Sequence, residues 1–187
     1  MQQNNNIPSI SKDSEVFDFE KYKNGKKDVF SVSEHVDSIF KTYTVVNSGK
    51  YYKEFYENSF FAISKSYYSN NNIKSKGISF NYHSFRKGIW YFYKEDGSFS
   101  HEIDYDTSYK FTWKDIMQYC KDNSIILEKG HGKGGWITTI NRTEFPAKPL
   151  WIIEHYILGA DGKIETITLD GITGKEIDRK YSELPGE

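Results

Sequence analysis

The chain has 187 residues, which matches one domain at roughly 150 residues per domain, and its 25 Lys and Arg against 26 Asp and Glu leave a net charge of -1. That balance argues against a generic nucleic-acid binder, which carries a basic excess, and no apolar run approaches the roughly 20 residues of a membrane-spanning helix. The apolar set is skewed to 20 Ile against 5 Leu and 3 Ala, with 15 Tyr, 13 Phe and 4 Trp, residues that suit a pleated, half-buried surface better than a helix.

In chain order, the polar opening through Asn4-Asn5-Asn6 has too little apolar surface to offset ordering entropy, so residues 1–12 are expected as a flexible N-terminal leader. Residues 13–183 follow as a single α+β domain, because no Pro/Gly/Ser-rich linker interrupts them. From Ser33 to Tyr43, apolar residues at Val36, Ile39, Phe40 and Tyr43 have the i, i+3, i+4, i+7 spacing that predicts a short helix. Tyr51 to Tyr68 fits a helical face or a strand pair; its aromatic content and flanking Asn/Ser/Gly turns favour strands.

Strands are predicted at Ile73–Phe80, Gly88–Tyr93 and Ser98–Tyr105, the last two joined by the hairpin signal Asp96-Gly97. Thr112, three residues before Asp115, predicts a capped helix over about Trp113 to Lys121. Strands return at Trp136–Ile140, Leu150–Leu158 and Lys163–Leu169, with turns at Gly159-Ala160-Asp161-Gly162 and Asp170-Gly171, and Gly174-Lys175-Glu176-Ile177 follows. The expected fold is α+β, predominantly antiparallel β meanders with two short helices.

No catalytic set has diagnostic spacing. His35, His83, His101, His131 and His155 are scattered, without a metal-ligand pattern. Cys120, the only cysteine, falls on the apolar face of its predicted helix and reads as a buried structural thiol. Gly130-His131-Gly132-Lys133-Gly134-Gly135 offers backbone amides and a lysine to an anion, but it lacks P-loop spacing and reads as a loop. No cofactor is called for, and the expectation is a protein without enzymatic activity.

The run Glu102-Ile103-Asp104-Tyr105-Asp106 is more informative. Alternation along a strand places Glu102, Asp104 and Asp106 on one face, a negative stripe open to three readings: a solvated face, a docking surface for a basic partner, or a site for a hard cation. Tyr91 and Tyr93, on the adjoining strand of the same predicted hairpin, are the aromatic candidates for contact with a partner. Basic and aromatic residues interleave at Lys50-Tyr51-Tyr52-Lys53, but the net charge of -1 counts against base stacking, so no nucleic acid is expected.

Gly88, Trp90, Tyr93 and Gly97, within Gly88 to Phe99, resemble a MORN-type β-hairpin repeat over about 20 of the 187 residues, with a turn-only echo at Tyr22-Lys23-Asn24-Gly25. Bacterial proteins with this hairpin include toxin antidotes and immunity proteins. The resemblance implies a non-catalytic protein that binds and neutralises a cognate bacterial toxin. The alternative is an exported lipoprotein or surface module that binds a small molecule or glycan through exposed aromatics. As written, the chain reads as cytoplasmic; a removed signal segment ahead of the polar leader would make it a periplasmic lipoprotein.

Overall fold

A computed structural model describes residues 7–22, 30–81, 85–132, 138–143, 148–157 and 162–183. Where one domain is expected over 13–183, the chain forms two compact units, Met1–Asn81 with Arg86–Asp104 and Lys129–His131, and Tyr82–Phe85 with Tyr105–Glu128 and Gly132–Glu187. Of the crossings between the units, only the one at His131/Gly132 falls in a glycine-rich run; those at Asn81/Tyr82, Phe85/Arg86, Asp104/Tyr105 and Glu128/Lys129 have no linker composition.

The first unit is a seven-stranded antiparallel meander in sequential order: β1 (Phe30–Val36), β2 (Ile39–Val46), β3 (Gly49–Tyr56), β4 (Phe61–Tyr67), β5 (Ile73–Phe80), β6 (Arg86–Tyr93) and β7 (Phe99–Asp104). The helix expected from Ser33 to Tyr43 is instead the β1–β2 hairpin, closed at Val36 and Ile39 with Asp37 at a φ of 55°. Phe30-Ser31-Val32-Ser33 alternates as a half-buried strand does, and Tyr43 lies opposite both Val32 and Tyr52. Residues with helical spacing thus face their partners from the two arms of a hairpin, and packing overrides the period. The strands favoured over Tyr51 to Tyr68 are β3 and β4, so the antiparallel reading holds there.

Close packing shapes the far side of the meander. A Cβ on Gly77 would stand 2.3 Å from the Trp90 ring, which lies across this glycine while its Nε1–H donates to the Ile78 carbonyl at 3.0 Å. Residues 12–19 form a strap fixed to this unit. The Phe17 N–H donates to Asn71 (3.1 Å), the Ile73 N–H donates to Glu15 (3.0 Å), and the Tyr93 hydroxyl donates to the Lys12 carbonyl (2.6 Å). Lys12, expected within the flexible leader over 1–12, is thus held by Tyr93, and residues 1–6 lie outside those described.

The second unit carries α1 (Trp113–Asp122) and a four-stranded antiparallel sheet of β8 (Thr138–Arg142), β9 (Leu150–Tyr156), β10 (Lys163–Asp170) and β11 (Glu176–Glu183), in the order β11-β10-β9-β8. The helix starts as predicted, the Asp115 carboxylate accepting the Thr112 N–H at 2.7 Å. Trp113, Ile116 and Cys120 on α1 are buried, as are Ile140, Trp151, Ile153, Ile167 and Leu169 on the strands. Of two expected short helices this is the one observed; a three-residue 3-10 turn at Glu20–Tyr22 is the other helical element among the described residues. Trp136, Leu158, the turn at 159–161, residues 184–187 and the rest of the Tyr22 echo lie outside the described residues.

Candidate functional site

The β6–β7 hairpin forms as its turn predicts. Gly97 has a φ of 84°, the Lys94 N–H donates to the Ser98 carbonyl at 2.9 Å, and the Asp96 carboxylate accepts the Ser98 N–H at 2.8 Å; hydrogen bonding from the Ser98 side chain and then from its N–H holds the Asp96 carboxyl below its ordinary value. β7 is the end strand of the meander, and all six of its residues are exposed.

Register sorts the candidate residues. Glu102 lies opposite Tyr91 and Asp104 opposite Ile89, so the two carboxylates and Tyr91 share one face, while Ile103 and His101 lie on the other, opposite Trp90 and Phe92. Asp106 is not part of this stripe. β7 ends at Asp104, and Asp106 belongs to the second unit, where its carboxylate accepts Arg142 Nη1 at 2.8 Å. The Arg142 side chain is 2% exposed and lies against Phe85, Tyr109 and Trp151, so Asp106 neutralises a buried guanidinium. Tyr93 is also placed otherwise than expected: it is 3% exposed, and burial pushes its hydroxyl up to about 12.

Several other aromatics in this unit serve the same core. Phe19, Phe30, Tyr43, Tyr52, Tyr67, Ile73 and Tyr93 form one buried cluster, with Phe17 packed between Tyr43 (5.7 Å), Tyr52 (5.4 Å) and Tyr67 (5.6 Å). Their hydroxyls end on carboxylates: Tyr43 donates to Glu34, Tyr52 to Glu54 and Tyr67 to Glu15. Glu15 is also 2.8 Å from Lys65 and 3.6 Å from the buried Lys76. Burial alone would raise the Glu15 pKa, but hydrogen bonds from Lys65 and Tyr67 hold it below its ordinary value.

A second polar arrangement, invisible in the sequence, crosses the four-stranded sheet. Thr138, His155, Glu165 and Tyr181 are successive partners in the register, one from each strand. With Asn123, Ser124, Ile126, Tyr156 and Ile157 they line a cavity of about 420 Å³. The Glu165 carboxylate meets His155 Nε2 at 2.7 Å and Arg179 at 2.6 Å, and Arg179 reaches Glu176 (2.8 Å) and the Tyr119 hydroxyl (3.2 Å). Burial alone would raise the Glu165 pKa; hydrogen bonds from Tyr181, Arg179 and His155 hold it lowered. The two His155 nitrogens face the Glu165 carboxylate and the Tyr156 carbonyl (3.1 Å), oxygens that accept, so neither is turned toward a ligand. Only strand register joins these four residues, which stand 10 to 43 positions apart in sequence.

The remaining candidates have structural places. His131 packs on Phe40 (3.9 Å) and Phe55 (5.0 Å), His35 meets Glu57 at 3.3 Å, and His83 lies outside the described residues. The start of the glycine-rich segment is clamped, Gly130 donating to the Ser59 carbonyl (2.9 Å) and accepting from Asn81 Nδ2 (2.9 Å); residues 133–137 are outside the described set. Cys120 is 1% exposed, and burial pushes its thiol up to about 12, which leaves little thiolate at neutral pH. Among the described residues no three His, Cys, Asp or Glu are grouped to hold a metal ion, and no helix is long and apolar enough to cross a membrane. No family model, no curated protein and no solved structure matches this chain, so the two sites stand on their geometry.

Proposed function

We propose that the protein is a non-catalytic binding protein, most concretely an immunity protein that neutralises a cognate bacterial toxin by direct contact through the β7 edge. The observation that carries this reading is the exposure of all six β7 residues at the end of the sheet, with Phe99 (41%) and Ile103 (40%) interleaved among His101, Glu102 and Asp104. An end strand offers main-chain donors and acceptors to a partner strand, and carboxylates beside them favour a basic partner. The hairpin that resembles a MORN-type repeat is the one that presents this edge. The test is co-expression with the product of the neighbouring gene. Growth restored by the wild-type chain, but not by the Glu102→Lys/Asp104→Lys variant, supports the reading; no restoration by either removes it.

One observation favours a second reading. Tyr181, at 62% the most exposed aromatic among the described residues of the second unit, borders the cavity that holds His155 and Glu165, as a platform for a small polar molecule or glycan would. A glycan array in which Tyr181→Ala removes a wild-type signal supports this alternative, and an array silent for the wild type ends it.

A further inference from the structure

The β7 edge already holds one basic group. Lys12 Nζ stands 3.0 Å from Glu102 Oε2 and 3.9 Å from the centroid of the Phe99 ring, so the ammonium lies between a carboxylate and an aromatic face. The backbone behind it is fixed, since the Lys12 carbonyl accepts the Tyr93 hydroxyl at 2.6 Å and the Ser14 hydroxyl donates to Gly97 at 2.7 Å. The charged groups themselves are open to water, with the Lys12 and Glu102 side chains 51% and 46% exposed. Ion pairs of this kind shift an equilibrium by no more than about fivefold. Lys12 can leave this position while Glu15 and Phe19, deeper in the strap, stay in place.

We propose that Phe99 and Glu102 form a subsite for a basic side chain of the protein partner, with Lys12 as a resident stand-in that is displaced on binding. The inference deepens the docking reading of β7 and rests on it. Its chemistry favours arginine over lysine, because a planar guanidinium can lie flat on the Phe99 ring while its N–H groups meet the Glu102 carboxylate. The partner is thereby specified as an extended segment that presents arginine at this point of the strand.

The subsite is testable without the toxin. The full chain, labelled with nitrogen-15, is titrated with the capped peptide Gly-Arg-Gly, and with Gly-norleucine-Gly as control. Backbone amide shifts are followed for the wild type, Lys12→Gln, and Lys12→Gln combined with Phe99→Leu. Expected are shifts centred on Phe99 to Glu102, with Lys12→Gln binding the arginine peptide about twofold to fivefold more tightly than the wild type. Phe99→Leu, which keeps apolar area without the ring, should reverse that gain. Equal affinity of wild type and Lys12→Gln, equal response to norleucine, or unchanged affinity in the double variant each overturns the proposal. A toxin that fails to bind while the peptide behaves as expected removes the toxin reading alone. A toxin that binds alongside a silent peptide removes the subsite alone.

Discussion

A half-buried carboxylate, Glu15, and a buried one, Glu165, carry the sharpest expectations for single residues. Glu15 and Glu165 both ionise more readily in the folded chain than at their ordinary value of 4.5. A carboxyl with a lowered folded pKa contributes stability that is present above its unfolded pKa and is lost as pH falls through the folded value. The melting temperature should therefore hold from neutral pH down to about 4.5 and decline steeply below it. A melting temperature constant down to pH 3 would contradict the assignment. Glu165→Gln removes the carboxylate that meets His155 and Arg179, while Arg179 keeps Glu176; its cost should be about 1 to 2 kcal/mol in urea unfolding at pH 7. Cys120 is the residue-scale control for the absence of thiol chemistry. The folded chain should not react with a disulfide reagent on the minute timescale at pH 8, whereas the urea-unfolded chain should react at once.

Elements with local turn or cap chemistry were legible in sequence, because the interactions that make them span only a few residues. Asp96-Gly97 closes its hairpin, and Thr112 with Asp115 opens α1. The β1–β2 hairpin was not legible as such, because Val36, Ile39, Phe40 and Tyr43 satisfy a helical period equally well, and the deciding partner, Tyr52, lies on β3. The candidate stripe shows the same limit. Alternation correctly joins Glu102 to Asp104, but it carries no information on where β7 ends, and Asp106 pairs instead with Arg142. The polar row of Thr138, His155, Glu165 and Tyr181 depends wholly on register between strands.

Two substitutions test the packing of elements in the meander. Gly77→Ala drives a methyl group into the Trp90 ring and should cost about 2 kcal/mol in chemical denaturation, with a shifted tryptophan emission in the native state. Phe17→Ala removes the ring that the strap sets against Tyr43, Tyr52 and Tyr67, and should cost about 2 kcal/mol or more. Near-native stability in either variant would show that the corresponding contact does not hold the sheet.

For the whole molecule, near-neutral net charge and an aromatic excess take on a different meaning once burial is known. The buried rings of the meander build the core of a sheet whose end strand is exposed, and among the described residues the exposed aromatics are few: Tyr51, Phe99 and Tyr181. With a net charge of -1, long-range steering is weak, and the proposed recognition of a partner rests on local charge such as Glu102 and Asp104. The direct measurement of the proposed function is the affinity of the purified chain for the product of the neighbouring gene, by calorimetry at physiological salt, for the wild type and for Glu102→Lys/Asp104→Lys. A loss of about tenfold or more in the variant, with its melting temperature unchanged, is the result predicted for a partner bound at the β7 edge. Equal affinity in the two proteins would contradict it.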